Sequence, residues 1–253
     1  MYSRFTKLSI GAIALLLVPL SSTLMSQPSA AQVFTWNQGN NPTPMIRTRI
    51  GVCFLTSVQG KFEGDKEKVE LYIENGQWFL SGSSGQFGVS GEANCVQWNE
   101  LVGADRAVWG PYTLNQDEGF RYLDGFTEGD GLCFLGSVSG KFRGGGEQVA
   151  VTLNGNREWE LGIRSQQTGV SASAYCIPTN LNYTKLTSQF TWVQDGPTFN
   201  LGSPYASCFL TGMTGKFQGP GEKVRVYNNF GEWYLDGTSN QFGVSASARC
   251  YRK

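Results

Sequence analysis

Six cysteines set at repeating intervals constrain this chain more than any other feature. Cys53-Phe54-Leu55 returns as Cys133-Phe134-Leu135 and again as Cys208-Phe209-Leu210. Seven residues after each first cysteine stands Gly-Lys-Phe, beginning at Gly60, Gly140 and Gly215. Fourteen after it stands a glutamate: Glu67, Glu147 or Glu222. Trp-x-Leu follows from Trp78, Trp159 and Trp233, then Ser-x-Gln-x-Gly-Val-Ser from Ser84, Ser165 and Ser239. Each copy closes on Cys95, Cys176 or Cys250, 17 residues beyond its tryptophan. Self-similarity of this order is the mark of a repeat architecture. Upstream, Phe34-Thr35-Trp36 matches Phe190-Thr191-Trp192, with Ala107-Val108-Trp109 as a looser middle version. The copies run over 32–96, 104–177 and 188–253, and the middle one carries an acidic insertion at 115–131.

Within a copy the pattern is that of short strands. Cys53 to Phe62 reads as one strand, and Lys68 to Glu74 as a second whose Val69, Leu71 and Ile73 alternate inward. Asn75-Gly76 is a hairpin signal, because both residues of such a turn need positive φ. Gln77 to Ser81 and Val89 to Cys95 complete a four-strand meander, and the Phe-Thr-Trp segment adds a fifth strand. The expected fold is all-β: three tandem, disulfide-clasped antiparallel repeats of about five strands, packed with pseudo-threefold symmetry. In a four-strand meander the two cysteines of a copy meet at one end. The repeat therefore selects Cys53–Cys95, Cys133–Cys176 and Cys208–Cys250 from the fifteen pairings that six cysteines allow. Trp98, Trp109, Tyr112, Tyr183, Phe199 and Tyr205 in the connections point to packed units rather than beads.

Residues 1–31 predict a cleaved secretory leader: Arg4 and Lys7, an apolar run from Leu8 to Leu20, and small residues up to Ala31. Thirteen apolar residues fall short of the roughly 20 that cross a bilayer. The expected location is periplasmic or extracellular, with no membrane span after cleavage. The remainder has 18 basic against 20 acidic residues, which gives no footprint for nucleic acid.

The chain has no histidine. That removes the commonest proton shuttle near neutral pH and every Ser-His or Cys-His mechanism. The polar residues shared by the copies are the candidate ligand contacts: Lys61, Glu67 and Gln86, then Lys141, Glu147 and Gln167, then Lys216, Glu222 and Gln241, with Arg164 as a variant in the second copy. Each has a structural alternative, such as Lys61 pairing with Glu67 across its turn. The repeated tryptophans read as core. Asp117, Glu118 and Asp124 of the insertion are the candidates for Ca²⁺ or for carboxylate-based hydrolysis, although their spacing fits no metal loop. No resident cofactor is expected.

The pattern CFLxxxxGKFxGxGExV…WxLxxxSxQxGVSAxAxC resembles repeats of exported bacterial proteins. The run Gly231-Glu232-Trp233-Tyr234-Leu235 through Gln241-Phe242-Gly243-Val244-Ser245-Ala246 looks like a strand pair of the Oscillatoria agglutinin type of high-mannose lectin. That resemblance implies sugar binding. The expectation is thus a secreted, non-enzymatic, multivalent binder of extracellular glycan. The alternative is a structural or adhesive component of the cell envelope or matrix.

Overall fold

The computed structural model describes residues 32–179 and 185–252, so the expected leader and Tyr183 lie outside the described residues. The first copy supplies β1 (Gln32–Asn37), β2 (Thr43–Arg47), β3 (Gly51–Gln59), β4 (Lys68–Glu74), β5 (Gln77–Ser83) and β6 (Ser90–Gln97). The second supplies β7 (Trp109–Asn115), β8 (Phe120–Thr127), β9 (Gly131–Ser139), β10 (Gln148–Leu153), β11 (Glu158–Arg164) and β12 (Ser171–Pro178). The third supplies β13 (Phe190–Val193), β14 (Phe199–Gly202), β15 (Tyr205–Thr214), β16 (Lys223–Asn229), β17 (Glu232–Thr238) and β18 (Ser245–Arg252). Each copy thus has six strands where about five were expected. The sixth is β2, β8 or β14, so the acidic stretch of the middle copy holds a strand that the other copies share.

The strands do not form the expected meander. β3 and β4 follow one another in sequence but lie in different sheets. The three antiparallel sheets run β1-β6-β3-β16-β17-β14, β13-β18-β15-β10-β11-β8 and β2-β5-β4-β9-β12-β7. In each, three strands carrying a disulfide come from one copy and an outer hairpin with its flanking strand comes from another. The junctions repeat one register: Lys223↔Gln59, Gln148↔Thr214 and Lys68↔Ser139. Copy one receives the hairpin of copy three, copy two that of copy one, and copy three that of copy two.

The Gly-Lys-Phe motif closes this cycle. Gly60 N–H donates to Glu222 O, Gly140 N–H to Glu67 O and Gly215 N–H to Glu147 O, each at 2.8 Å. Phe62 N–H donates to Phe217 O, Phe142 N–H to Phe62 O and Phe217 N–H to Phe142 O, at 2.7–2.8 Å. Two cyclic sets of backbone bonds define a pseudo-threefold axis. The rings of Phe62, Phe142 and Phe217 meet at 6.0–6.2 Å, and those of Phe54, Phe134 and Phe209 at 4.7–6.1 Å. All six are buried. The glycines are required here: Gly60 has φ +114°, and a Cβ on it would stand 2.5 Å from Gly88 O.

The three disulfides form as the repeat requires, between residues directly opposite on neighbouring strands with Cα atoms 4.0–4.1 Å apart. They suit an oxidising environment outside the cytoplasm. No described helix is long and apolar enough to cross a membrane. Trp78, Trp159 and Trp233 are core residues.

Register corrects one sequence equivalence. Tyr112, Thr113 and Leu114 pair with Ala174, Ser173 and Ala172, as Phe34, Thr35 and Trp36 pair with Ala93, Glu92 and Gly91. The middle counterpart of Phe-Thr-Trp is therefore Tyr112-Thr113-Leu114, while Trp109 lies earlier, opposite Cys176 and 52% exposed. Equivalent positions just before the closing cysteine also differ. Asn94 donates to Ser207 Oγ at 3.1 Å, Tyr175 meets the Trp78 ring edge-on, and Arg249 lies 5.3 Å from the Trp159 ring. Arg249 donates to Thr187 O and pairs with Glu128, itself held by Arg157; burial lowers the Arg249 pKa and Glu128 opposes that shift.

Candidate functional site

The Ser-x-Gln-x-Gly-Val-Ser segments and the Gly-rich turns after Gly-Lys-Phe form a closed ring around the axis end. Each segment opens with a small hydroxyl turn. Ser84 Oγ accepts from Gln86 N–H and donates to Gln86 O, and Ser165 and Ser239 do the same with Gln167 and Gln241. The side chains of the three glutamines are half-buried. Glu67, Glu147 and Glu222 lie 2–3% exposed under these segments. Oε1 of Glu67 accepts from Gly85 N–H at 3.3 Å and Oε1 of Glu222 from Asn240 N–H at 3.4 Å. Their Oε2 atoms press on the glycine of the preceding turn, where a Cβ on Gly64, Gly144 or Gly219 would be 2.4–2.6 Å away. Glu67 and Glu222 thus hold their loops through Oε1, while the buried Oε2 atoms of all three glutamates have no hydrogen-bond partner among the described residues.

The lysines behave differently from one another. Lys61 pairs with Glu63 at 2.9 Å rather than with Glu67. Lys141 reaches across copies to Asp65 at 2.8 Å and also donates to Thr168 Oγ1. Lys216 is half-buried at the equivalent place. Arg164 is exposed on an outer hairpin, apart from the ring.

The acidic candidates do not converge. Asp117 sits at φ 74° in the β7–β8 turn, as Gly39 and Asp195 have positive φ in the equivalent turns of the other copies, and Asp124 sits at φ 47° within β8. Glu118 Oε2 accepts from Asn115 N–H, which fixes the same turn. Among the described residues no group of three or more acidic or cysteine side chains is placed to hold a metal ion.

In the third copy a concave site lies beside the Ser-x-Gln loop, against the turn that ends the Phe-Thr-Trp strand. Gln38, Gln116 and Gln194 occupy this turn and donate their backbone N–H to Val89 O, Val170 O and Val244 O at 2.8–2.9 Å. Three equivalent glutamines were visible in the sequence, two residues after Trp36, Leu114 and Trp192. In the third copy the notch encloses about 320 Å³, lined by Val193, Gln194, Asp195, Phe242, Val244 and Ser245. Phe242 is 83% exposed, and Asp195 is exposed with no partner among the described residues. The first copy keeps the ring as Phe87, 83% exposed, but has Gly39 in place of the acid. The second keeps the acid as Asp117 but has Thr168 in place of the ring. An exposed ring beside a free carboxylate, an amide and a hydroxyl offers an apolar platform with convergent polar groups. A sugar ring needs both, having one face of C–H bonds and a rim of hydroxyls. No second carboxylate lines the notch, so a two-carboxylate hydrolytic pair is absent from it. No family model matches the chain, and no curated protein matches it either.

Proposed function

We propose that this is an exported, non-enzymatic carbohydrate-binding protein whose principal sugar site is the notch between Asp195 and Phe242. The observation that carries this reading is an 83% exposed phenylalanine beside an unengaged carboxylate in a concave site of about 320 Å³. A sugar stacked on the Phe242 ring would take that apolar face out of water, which is favourable. The missing histidine and the lone carboxylate favour binding over catalysis. Phe87 and Asp117, each keeping one half of the Asp195–Phe242 pair, make the protein asymmetric in strength: one full site and two weaker ones, which gain from multivalent display.

A glycan array probed with oxidised residues 32–253, with and without EDTA, tests the proposal. The expected result is reproducible binding of a sugar class, unaffected by EDTA and weakened at least tenfold in Phe242→Ala. Silence from a folded sample would sink it and favour a structural or adhesive role, for which the closed ring of backbone bonds is suited.

A further inference from the structure

The outer face of the middle hairpin differs from the other two. Register aligns Ala150 and Gly162 with Glu70 and Ser81 of the first copy and with Arg225 and Asp236 of the third. It aligns Thr152 and Glu160 with Tyr72 and Phe79, and with Tyr227 and Tyr234. In the third copy this face is filled. Arg225 bonds Asp236 through two nitrogens at 2.7 and 3.1 Å, lies 4.2 Å from the Tyr227 ring, and Tyr227 stacks on Tyr234. In the first copy Tyr72 stacks on Phe79 at 5.1 Å. The middle copy has small residues at the centre instead, leaving a depression of about 260 Å³ lined by Gln148, Ala150, Thr152, Glu160, Gly162 and Arg164.

Its polar groups are sorted by position. Arg164 stands opposite Gln148 at one end, and Glu160 opposite Thr152 at the other. Four residues along a strand set the Cα atoms of Arg164 and Glu160 about 13 Å apart. Arg164 is exposed, with no acidic partner among the described residues. Along the flank, Phe120 pairs with Gly162 and Tyr122 with Glu160, which puts both rings on this same face. They are 56% and 52% exposed and meet edge-to-face at 5.2 Å.

We propose that this depression is a second binding site, separate from the Phe242 notch, for an acidic oligosaccharide of the uronate class. A sugar carboxylate sits between the Arg164 guanidinium, a planar fork suited to it, and the Gln148 amide. A neighbouring sugar residue lies against Phe120 and Tyr122, and its hydroxyls donate to Glu160. The floor at Ala150 and Gly162 admits the chain because nothing fills it. Charge complementarity at the Arg164 end selects the acid, and Glu160 at the far end disfavours a ligand with negative charge along its whole length.

Isothermal titration of oxidised residues 32–253 tests this, using short oligosaccharides in which one galacturonate, glucuronate or mannuronate is linked to neutral hexose, and their methyl esters. The expected result is binding of one acid series at least tenfold tighter than its ester, weakened by added salt, and weakened at least tenfold by Arg164→Gln. The double substitution Ala150→Arg with Gly162→Asp installs the ion pair that the third copy already tolerates. A Cβ on Gly162 meets nothing closer than 4.0 Å, so the fold should keep its melting temperature while binding is lost. Phe242→Ala should leave this titration unchanged, which distinguishes failure here from failure of the notch. Equal binding of acid and ester, unchanged affinity in Arg164→Gln, or no binding of any uronate series overturns the proposal.

Discussion

The indole of Trp36 lies so close over Gly82 that a methyl group on that glycine would stand 2.4 Å from Cζ3 of the ring. Trp192 and Gly237 repeat the relationship at the same distance. The middle copy solves the same contact differently, with Leu114 at the tryptophan position and Ile163 at the glycine position. One large and one minimal side chain are exchanged for two of medium size. Gly82→Ala and Gly237→Ala should each cost about 1–3 kcal/mol by overpacking, measured by urea unfolding. Gly162→Ala should stay within about 0.5 kcal/mol. The pair Trp36→Leu with Gly82→Ile should cost less than the sum of its single changes; simple additivity would refute the exchange.

The disulfides close loops of 42, 43 and 42 residues between buried cysteines. Chain entropy depends on loop length, so removing any one pair by Cys→Ala should destabilise by a similar amount, roughly 4 kcal/mol. Denaturant titration of the three double variants checks this. A spread of several kcal/mol would show that local packing, rather than loop closure, sets the loss.

Burial raises the pKa of Tyr251 to about 12, and raises those of Tyr175 and Tyr112 as well, with Glu70 and Asp124 adding to the respective shifts. The unfolded chain ionises its tyrosines near pH 10. Below that pH the three phenols are neutral in both states and their contribution is complete. Above it the unfolded state gains by ionising first, so stability falls as pH rises from 10 through 12. Thermal melts between pH 8 and 12 should show this decline, less steeply in Tyr251→Phe. A flat profile above pH 10 would contradict it.

The notches predict a graded mutational response. Phe242→Ala and Asp195→Asn should each weaken sugar binding at least tenfold, and Phe87→Ala should reduce apparent avidity by a smaller factor. Thr168→Phe places a ring beside Asp117 and should add a site, raising the stoichiometry found by titration. Unchanged stoichiometry would mean that ring and carboxylate are not sufficient together.

Much of this was readable in the chain itself. β4 was expected at Lys68–Glu74 and is found there, because alternating Val69 and Leu71 and the Asn75-Gly76 turn fix both its face and its end. The cysteine pairs expected from the repeat also form, but through direct pairing of the two cysteine strands rather than through the expected meander. Alternation assigns faces to a strand but does not name its neighbour, so nothing in Cys53 to Phe62 announced that β3 would pair with β16. The Ala107-Val108-Trp109 match was drawn by a shared tryptophan, while the true equivalence at Tyr112-Thr113-Leu114 was hidden by the compensating Leu114 and Ile163. The notch is not legible in the sequence because Asp195 and Phe242 are 47 residues apart and meet only once the loop folds over the turn.

The exchange of hairpins around the axis has a consequence for how such a chain can change over time. Excising one copy would strand a hairpin without its acceptor and an acceptor without its hairpin, so two copies do not make a smaller version of three. The number of units is set by geometric closure, as in a three-subunit ring, although one polypeptide supplies them all. A single copy on its own could complete its sheet only with a hairpin from another chain. Here one polypeptide supplies all three hairpins, so none of the three faces needs to be identical to the next.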